Sequence, residues 1–374
     1  MQHRVFGLDL VRAVAIIMVV FSHTAWIIPK NKELLLDIMS VFGVLGVEIF
    51  FVLSGFLIGR IIYKIYISDD FNFLSVFYFW IRRWFRTLPN YYLVLLINIG
   101  IAIYIGITLP DSLWKYVFFI QNFSSEMPGF FMESWSLSIE EFAYILGPIL
   151  LFFTLFIKTK ISKPNMFFII TLLILLLFII TKIIYNLNEV EQSLIGWNSN
   201  LKSIVIFRID AVYYGVLAAY ISIVKAKFWK QIKYSSFGFG VLLFLGWNTL
   251  VFIKGIQIEV YPFIWNILYL PMNSIAMLLM FPLLSQMNTA PRYILKLITF
   301  ISVTSYAIYL MHCSVILQLL QYFIPANSLS EFDIIVYVIV YFSSTILVSY
   351  VLYRFFENPM TKLRDSNFIK NRFT

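Results

Sequence analysis

The sequence predicts an all-α, polytopic membrane protein of about ten transmembrane helices with both termini in the cytoplasm. Three observations predict it. Of 374 residues, 61% are hydrophobic and only 13% charged, against roughly half and a quarter in a soluble domain. Mean hydropathy is +0.87. The apolar residues fall into runs of about 20, the length that crosses the hydrocarbon layer as a helix. This composition excludes an ordinary soluble enzyme and a disordered chain. The net charge of +9 is spread between apolar blocks, with no single basic face, which excludes a nucleic-acid binder. One cysteine, Cys313, excludes an intramolecular disulfide. No CxxC or HExxH sequence offers a metal framework, and no metal is expected.

The first run, Leu8–Ile28, follows a basic start (His3, Arg4) as a signal peptide would. Arg12 lies inside it and no small-x-small cleavage site follows, so it reads as a retained span. The second, Ser40–Ile62, carries Gly43, Gly46, Gly55 and Gly59, small residues that let another helix approach closely. The third is Leu88–Leu109. Arg82, Arg83 and Arg86 are expected just before it, interleaved with Trp80, Trp84, Phe85 and Tyr91. The fourth to seventh are Ser136–Ile157, Met166–Tyr185, Ile204–Val224 and Phe237–Ile253, the last being the shortest. Phe263–Leu284, Leu297–Phe323 and Ile334–Phe355 complete the ten. The longest stretch between spans, Pro110 to Trp135, is too short for a soluble domain. The expected organisation is therefore one transmembrane domain over 1–360 and a short basic cytoplasmic tail over 361–374, with no internal repeat.

Lysine and arginine set the direction of insertion. With the N-terminus inside, six of the 28 fall outside: Lys30, Lys32, Lys115, Lys182, Lys202 and Lys254. Arg12 and Arg208 lie within spans, and the other twenty are inside. That bias puts both termini in the cytoplasm.

Charges inside a bilayer cost about 2.5–3.5 kcal/mol each on insertion scales and mark function or a structural ion pair. Arg12 and His23 are eleven residues apart. They share one helix face and lie about 16 Å apart along the axis, Arg12 inward. Glu48 sits in the second span. Glu140 opens the fourth, with Glu133, Trp135 and Glu141 around it. Arg208 and Asp210 open the sixth, and His312 lies about 15 residues into the ninth, at the depth of His23. Two polar layers follow. The outer holds His23, Glu48, Glu140, Arg208, Asp210 and His312; the inner holds Arg12 with Arg82, Arg83 and Arg86. The outer set has the groups for acid–base work. The inner arginines suit either lipid phosphate at the interface or a phosphorylated ligand from the cytoplasm, since Arg83 and Arg86 are spaced to share one phosphate.

These segments resemble the membrane-bound acyltransferase-3 family along nearly the whole chain. GLDLVRAVAIIMVVFSH is similar to its Arg-x10-His element, carried by Arg12 and His23, and GVEIFFVLSGFLI to its second-helix signature. RRWFRTLP is similar to its Arg-x-x-Arg element, carried by Arg83 and Arg86. WSLSIEEFAYIL, FRIDAVYYGVLAA, SYAIYLMH and RFFENP match later blocks in order. The resemblance implies an O-acyltransferase of a bacterial cytoplasmic (inner) membrane. It would take acetyl from cytoplasmic acetyl-CoA, a donor substrate rather than a tightly bound cofactor, and acylate a surface glycan or lipid-linked sugar such as lipopolysaccharide. Many members carry an appended extracytoplasmic domain; this chain ends soon after Pro359 and is expected to be a stand-alone member.

On that basis Arg83 and Arg86 are expected to hold donor phosphates, with Arg12 lining the way inward. His23 is expected either to act as general base on the acceptor hydroxyl or to accept the acyl group, with Glu48 or Glu140 orienting its ring. Arg208, Asp210 and His312 are expected in an acceptor-side polar layer. The rival class is a secondary transporter, in which buried His, Arg and Glu serve a proton or substrate path; the absence of an inverted repeat argues against it. A lipid-binding scaffold has no need of the histidine–arginine stripe.

Overall fold

A computed structural model describes residues 4–28, 32–127, 129–189, 193–253, 255–325 and 329–364. His3, Lys30, Lys254 and most of the expected tail lie outside them. The described residues are helical, with no strand among them. Ten helices are long and apolar enough to cross a membrane. They are α1 (Phe6–Trp26), α2 (Leu35–Ile67), α3 (Phe73–Ile105), α4 (Ser134–Phe156), α5 (Lys163–Asn188), α6 (Val205–Val224), α7 (Lys233–Phe252), α8 (Ile264–Leu284), α9 (Arg292–Phe323) and α10 (Phe332–Leu363). All ten expected spans are present.

Local sequence sets the ends. Asn72 and Ser75 form a reciprocal cap at the start of α3, satisfying main-chain N–H groups that would otherwise be orphaned. Gly106, at φ +76°, ends that helix in the left-handed region. Ser330 and Asp333 form the same kind of cap before α10. Asp9 is buried near the start of α1, where Arg4 grips both carboxylate oxygens at 2.6 and 2.9 Å. Ser302 donates to Asp9 at 2.8 Å, tying α1 to α9.

The third helix departs from expectation. It begins at Phe73, fifteen residues before Leu88, so Arg82, Arg83 and Arg86 lie inside it rather than before it. Lys182, counted above with the loops, is fully buried within α5.

α2 packs on α1 and α6 at the centre of the molecule. Its contact with α6 is backbone on backbone: a Cβ on Gly55 would strike the Val212 carbonyl, and one on Gly215 would strike that of Val52. Without water to drive helices together, such close van der Waals contact is a main source of association. α6 and α8 are 67% buried over their most apolar stretch, whereas α7 is 17% buried and presents most of its surface to lipid.

The segment between α3 and α4 folds over the end of the bundle that carries His23. Tyr91 donates to the Tyr116 carbonyl and Tyr116 to that of Phe130, both at 2.8 Å. Asn122 donates to the carbonyls of Trp135 (3.0 Å) and Ser203 (2.5 Å). These bonds fix the approach to α4 and α6 just where Glu133 and Lys202 sit.

Candidate active site

The C-terminal turn of α1 carries His23, whose ring meets that of His312 with centroids 4.8 Å apart. His312 is fully buried. It opens a π-helical stretch, His312–Leu317, inside α9, a local widening often found at functional sites. His23 Nδ1 lies 2.9 Å from the Val19 carbonyl, and His312 Nδ1 lies 2.7 Å from that of Tyr309. A carbonyl only accepts, so each neutral ring donates from Nδ1 and keeps its lone pair on Nε2. His312 Nε2 has no hydrogen-bond partner.

Neither carboxylate expected to orient His23 touches it among the described residues. Glu48 is buried with Arg208 and Ser274. Glu140 accepts from Arg83 at 3.0 Å and from Tyr144 at 2.7 Å. Glu140 therefore belongs to the arginine layer. It stands about 9 Å into α4, and Arg83 stands about 15 Å into the antiparallel α3. Main-chain carbonyls do the orienting instead. Asp210 pairs with Lys182. Two of the residues expected on the acceptor side, Arg208 and Asp210, thus stand in buried ion pairs with Glu48 and Lys182 that lock α2, α5 and α6 together.

Arg12, Arg83, Arg86 and Glu140 line a single cavity between α1, α2, α3, α4 and α9. Ser54, Thr87, Ser136, Ser305, Tyr306 and Tyr309 complete its polar wall, and apolar residues of α2 with Leu137 of α4 form the rest. Arg83 also donates to Tyr144 at 2.9 Å, and its guanidinium lies 4.3 Å from the centre of that ring. Tyr144 bonds in turn to Ser54. Arg12 makes no hydrogen bond or ion pair among the described residues. Arg82 faces Tyr78, with its guanidinium 5.6 Å from the ring centre.

The cavity reaches the histidines through Tyr309. Its hydroxyl shares a bond with Ser136 (2.6 Å) and donates to the Glu133 carbonyl (3.0 Å). Its ring centroid is 5.7 Å from that of His312. The sequence reading passed over Tyr309, although it stands one helical turn before His312 in SYAIYLMH.

Two further groups at this end had little sequence signal. Glu133 accepts from the Ser314 N–H (3.2 Å) and hydroxyl (2.6 Å), while its Oε2 is buried and unpaired. Burial lifts its carboxyl to about 7, against the opposing pull of Ser314. Lys202, between α5 and α6, lies over the Trp135 ring, 4.8 Å from its centre. Burial and the nearby Arg208 push its ammonium down to about 7. No group of three or more metal-ligating side chains occurs among the described residues.

A family model described as "Acyltransferase domain" (Acyl_transf_3) matches residues 5–354. The chain belongs to the acyltransferase-3 family. It is 28% identical over 384 residues to "Putative O-acetyltransferase SACOL0978" of Staphylococcus aureus (strain COL), covering 95% of this chain and 57% of that protein. It is 26% identical over 378 residues to "O-acetyltransferase OatA" of Staphylococcus aureus (strain NCTC 8325 / PS 47), with the same coverage. A shorter match, 29% over 196 residues, joins it to "Putative peptidoglycan O-acetyltransferase YrhL" of Bacillus subtilis (strain 168), covering 48% of this chain and 28% of that one. The chain thus spans just over half the length of the staphylococcal relatives. No solved structure matches it. Family membership and the ten apolar helices together make this acyltransferase-family chain a multi-pass membrane protein.

Proposed function

We propose that the chain is a membrane O-acetyltransferase that takes acetyl from acetyl-CoA at the arginine-lined cavity and delivers it to a glycan hydroxyl at His23. The observation that carries this reading is the join between the two regions. Tyr309 lines the cavity and packs against His312, which packs against His23. A donor whose phosphates rest on Arg12, Arg83 and Arg86 can extend its thioester toward Tyr309 while the acceptor approaches from the other side. The names of the relatives support O-acetyl transfer, and that of the Bacillus relative supports a peptidoglycan-like acceptor.

In the direct route His23 Nε2 takes the acceptor hydroxyl proton as the oxygen attacks the thioester carbonyl. The C–S bond breaks, and the imidazolium returns the proton to the departing thiolate. In the alternative, Nε2 attacks the thioester carbonyl, the C–S bond breaks to release the CoA thiolate, and an acetyl-imidazolium forms; the acceptor oxygen then takes the acetyl as the C–N bond breaks, and its proton passes to the thiolate. Both need the tautomer that the Val19 carbonyl imposes. The charge bias between loops supports donor entry from the cytoplasm, with both termini on that side. A reporter fused after Thr374 would then be active only in the cytoplasm.

The test is labelled acetyl-CoA supplied to purified protein with peptidoglycan fragments. Ester-linked label on the glycan is expected from the native chain and none from His23→Ala. Label transfer by both alike would overturn the reading. Label retained on His23 without acceptor would select the second route.

A further inference from the structure

Lys202 is a buried-side cation that the proposed reaction does not use. Its side chain lies against Trp135, which is itself only 8% exposed. The charged groups that act on it are Arg208 and Glu48, and it acts in turn on His23. Its ammonium makes no hydrogen bond or ion pair among the described residues. Glu48, the carboxylate in reach, is already held by Arg208 and Ser274. Arg208 is 1% exposed and leaves Nε and Nη1 without partners. Arg208 and Lys202 therefore share Glu48, and Lys202 acts on His23 as well. A half-satisfied cluster of one sign is costly in a low-dielectric setting unless an anion completes it.

We propose that Lys202, backed by Arg208, forms an acceptor subsite for an acidic sugar, binding the carboxylate of the glycan while Trp135 and Trp26 flank its ring. Trp26 is 48% exposed and packs edge-on against His23, 5.5 Å between centroids. An aromatic surface packed on His23, and a cation whose charge His23 feels, thus accompany the base. A lysine serving lipid headgroups extends its stem outward to the interface. Lys202 lies inward over a buried tryptophan and acts on buried groups, which favours the substrate over the bilayer as the source of the anion. The inference rests on His23 being the acceptor-side group.

The test measures binding, so that it does not depend on turnover. The full chain, in phosphatidylcholine nanodiscs, is titrated with methyl glucuronide and with methyl glucoside, which differ only at C6, and followed by tryptophan emission. The glucuronide is expected to bind about tenfold more tightly, the size of one charge-assisted hydrogen bond. Lys202→Met should remove that preference without weakening the glucoside, and Lys202→Arg should keep most of it. Equal binding of the two sugars by the native chain, or an unchanged preference in Lys202→Met, overturns the subsite. A second arm adds phosphatidylglycerol to the nanodiscs: if it displaces the glucuronide from the native chain, Lys202 serves headgroups and the proposal fails. Acetyl-CoA consumption is followed in parallel. Its absence alongside an intact carboxylate preference would sink the proposed reaction and leave the subsite standing.

Discussion

The imidazole rings of His23 and His312 meet edge to face, with 4.8 Å between centroids and 83° between planes. Each Nδ1–H is committed to a main-chain carbonyl. Neither ring can hydrogen-bond the other through Nε2 until one of them takes up a proton. His23 is half-buried, whereas His312 is fully buried. On the proposed function the first takes the reacting position and the second a supporting one.

His23→Ala should therefore lower acetyl transfer by about a thousandfold, within the usual range for losing a general acid–base group. His312→Gln should lower it by about tenfold, through misplacement of the His23 ring. Rates are compared on protein that inserts at normal level and elutes as a single species in detergent. A near-native rate for His23→Ala would move the reacting group elsewhere.

The arginines proposed to hold the donor differ in what else they hold. Arg83 also neutralises Glu140, so Arg83→Ala leaves a carboxylate unpaired inside the bundle. Arg12 has no such partner among the described residues. Arg12→Ala should raise KM for acetyl-CoA by about tenfold, the loss of one charge-assisted contact, with unfolding temperature unchanged. Arg83→Ala should both raise KM and lower that temperature. Arg82→Ala, facing Tyr78 instead of the cavity, should leave donor affinity unaltered. Equal losses at all three positions would indicate a diffuse basic surface.

Hydropathy alone made the ten spans legible, because each needs a run that only a bilayer favours. It failed at the start of α3, where three arginines interrupt the run. The Asn72–Ser75 cap, a sequence signal in its own right, marks the true beginning. The Arg12–His23 stripe was legible because both residues ride one helix. The partner of Glu140 was not, since it depends on how far α3 and α4 overlap, and spacing within one helix says nothing of that. Lys182 was misread because a lysine near a helix end looks like a loop residue until its Asp210 partner is seen.

That partnership carries the third prediction. Lys182 and Asp210 are both fully buried and bonded to each other. Removing one partner leaves a buried charge uncompensated, at a cost of about 3–5 kcal/mol, whereas replacing both by apolar residues is often neutral. Lys182→Met alone should sharply lower thermal stability in detergent. Lys182→Met combined with Asp210→Leu should recover most of it. If the double variant also lost acetyl transfer while remaining folded, the pair would have a role in the reaction beyond holding α5 to α6.

Glu133 gives stability a pH dependence of unusual sign for a carboxylate. Its carboxyl is raised by burial to about 7, from 4.5 in the exposed group. The folded chain thus holds this proton more tightly than the unfolded one. Stability from this group is complete below pH 4.5 and is lost as pH rises through 7. The shift corresponds to about 3 kcal/mol at alkaline pH. Glu133→Gln keeps an oxygen for the Ser314 N–H and hydroxyl and cannot ionise. The variant should unfold near the native temperature at pH 5 and above it at pH 8, with the gap opening across neutrality. Thermal unfolding in detergent at half-unit pH steps measures the gap directly. A constant offset at every pH would mean that Glu133 is already ionised in the folded chain, with its free Oε2 paired to a cation instead of carrying a proton.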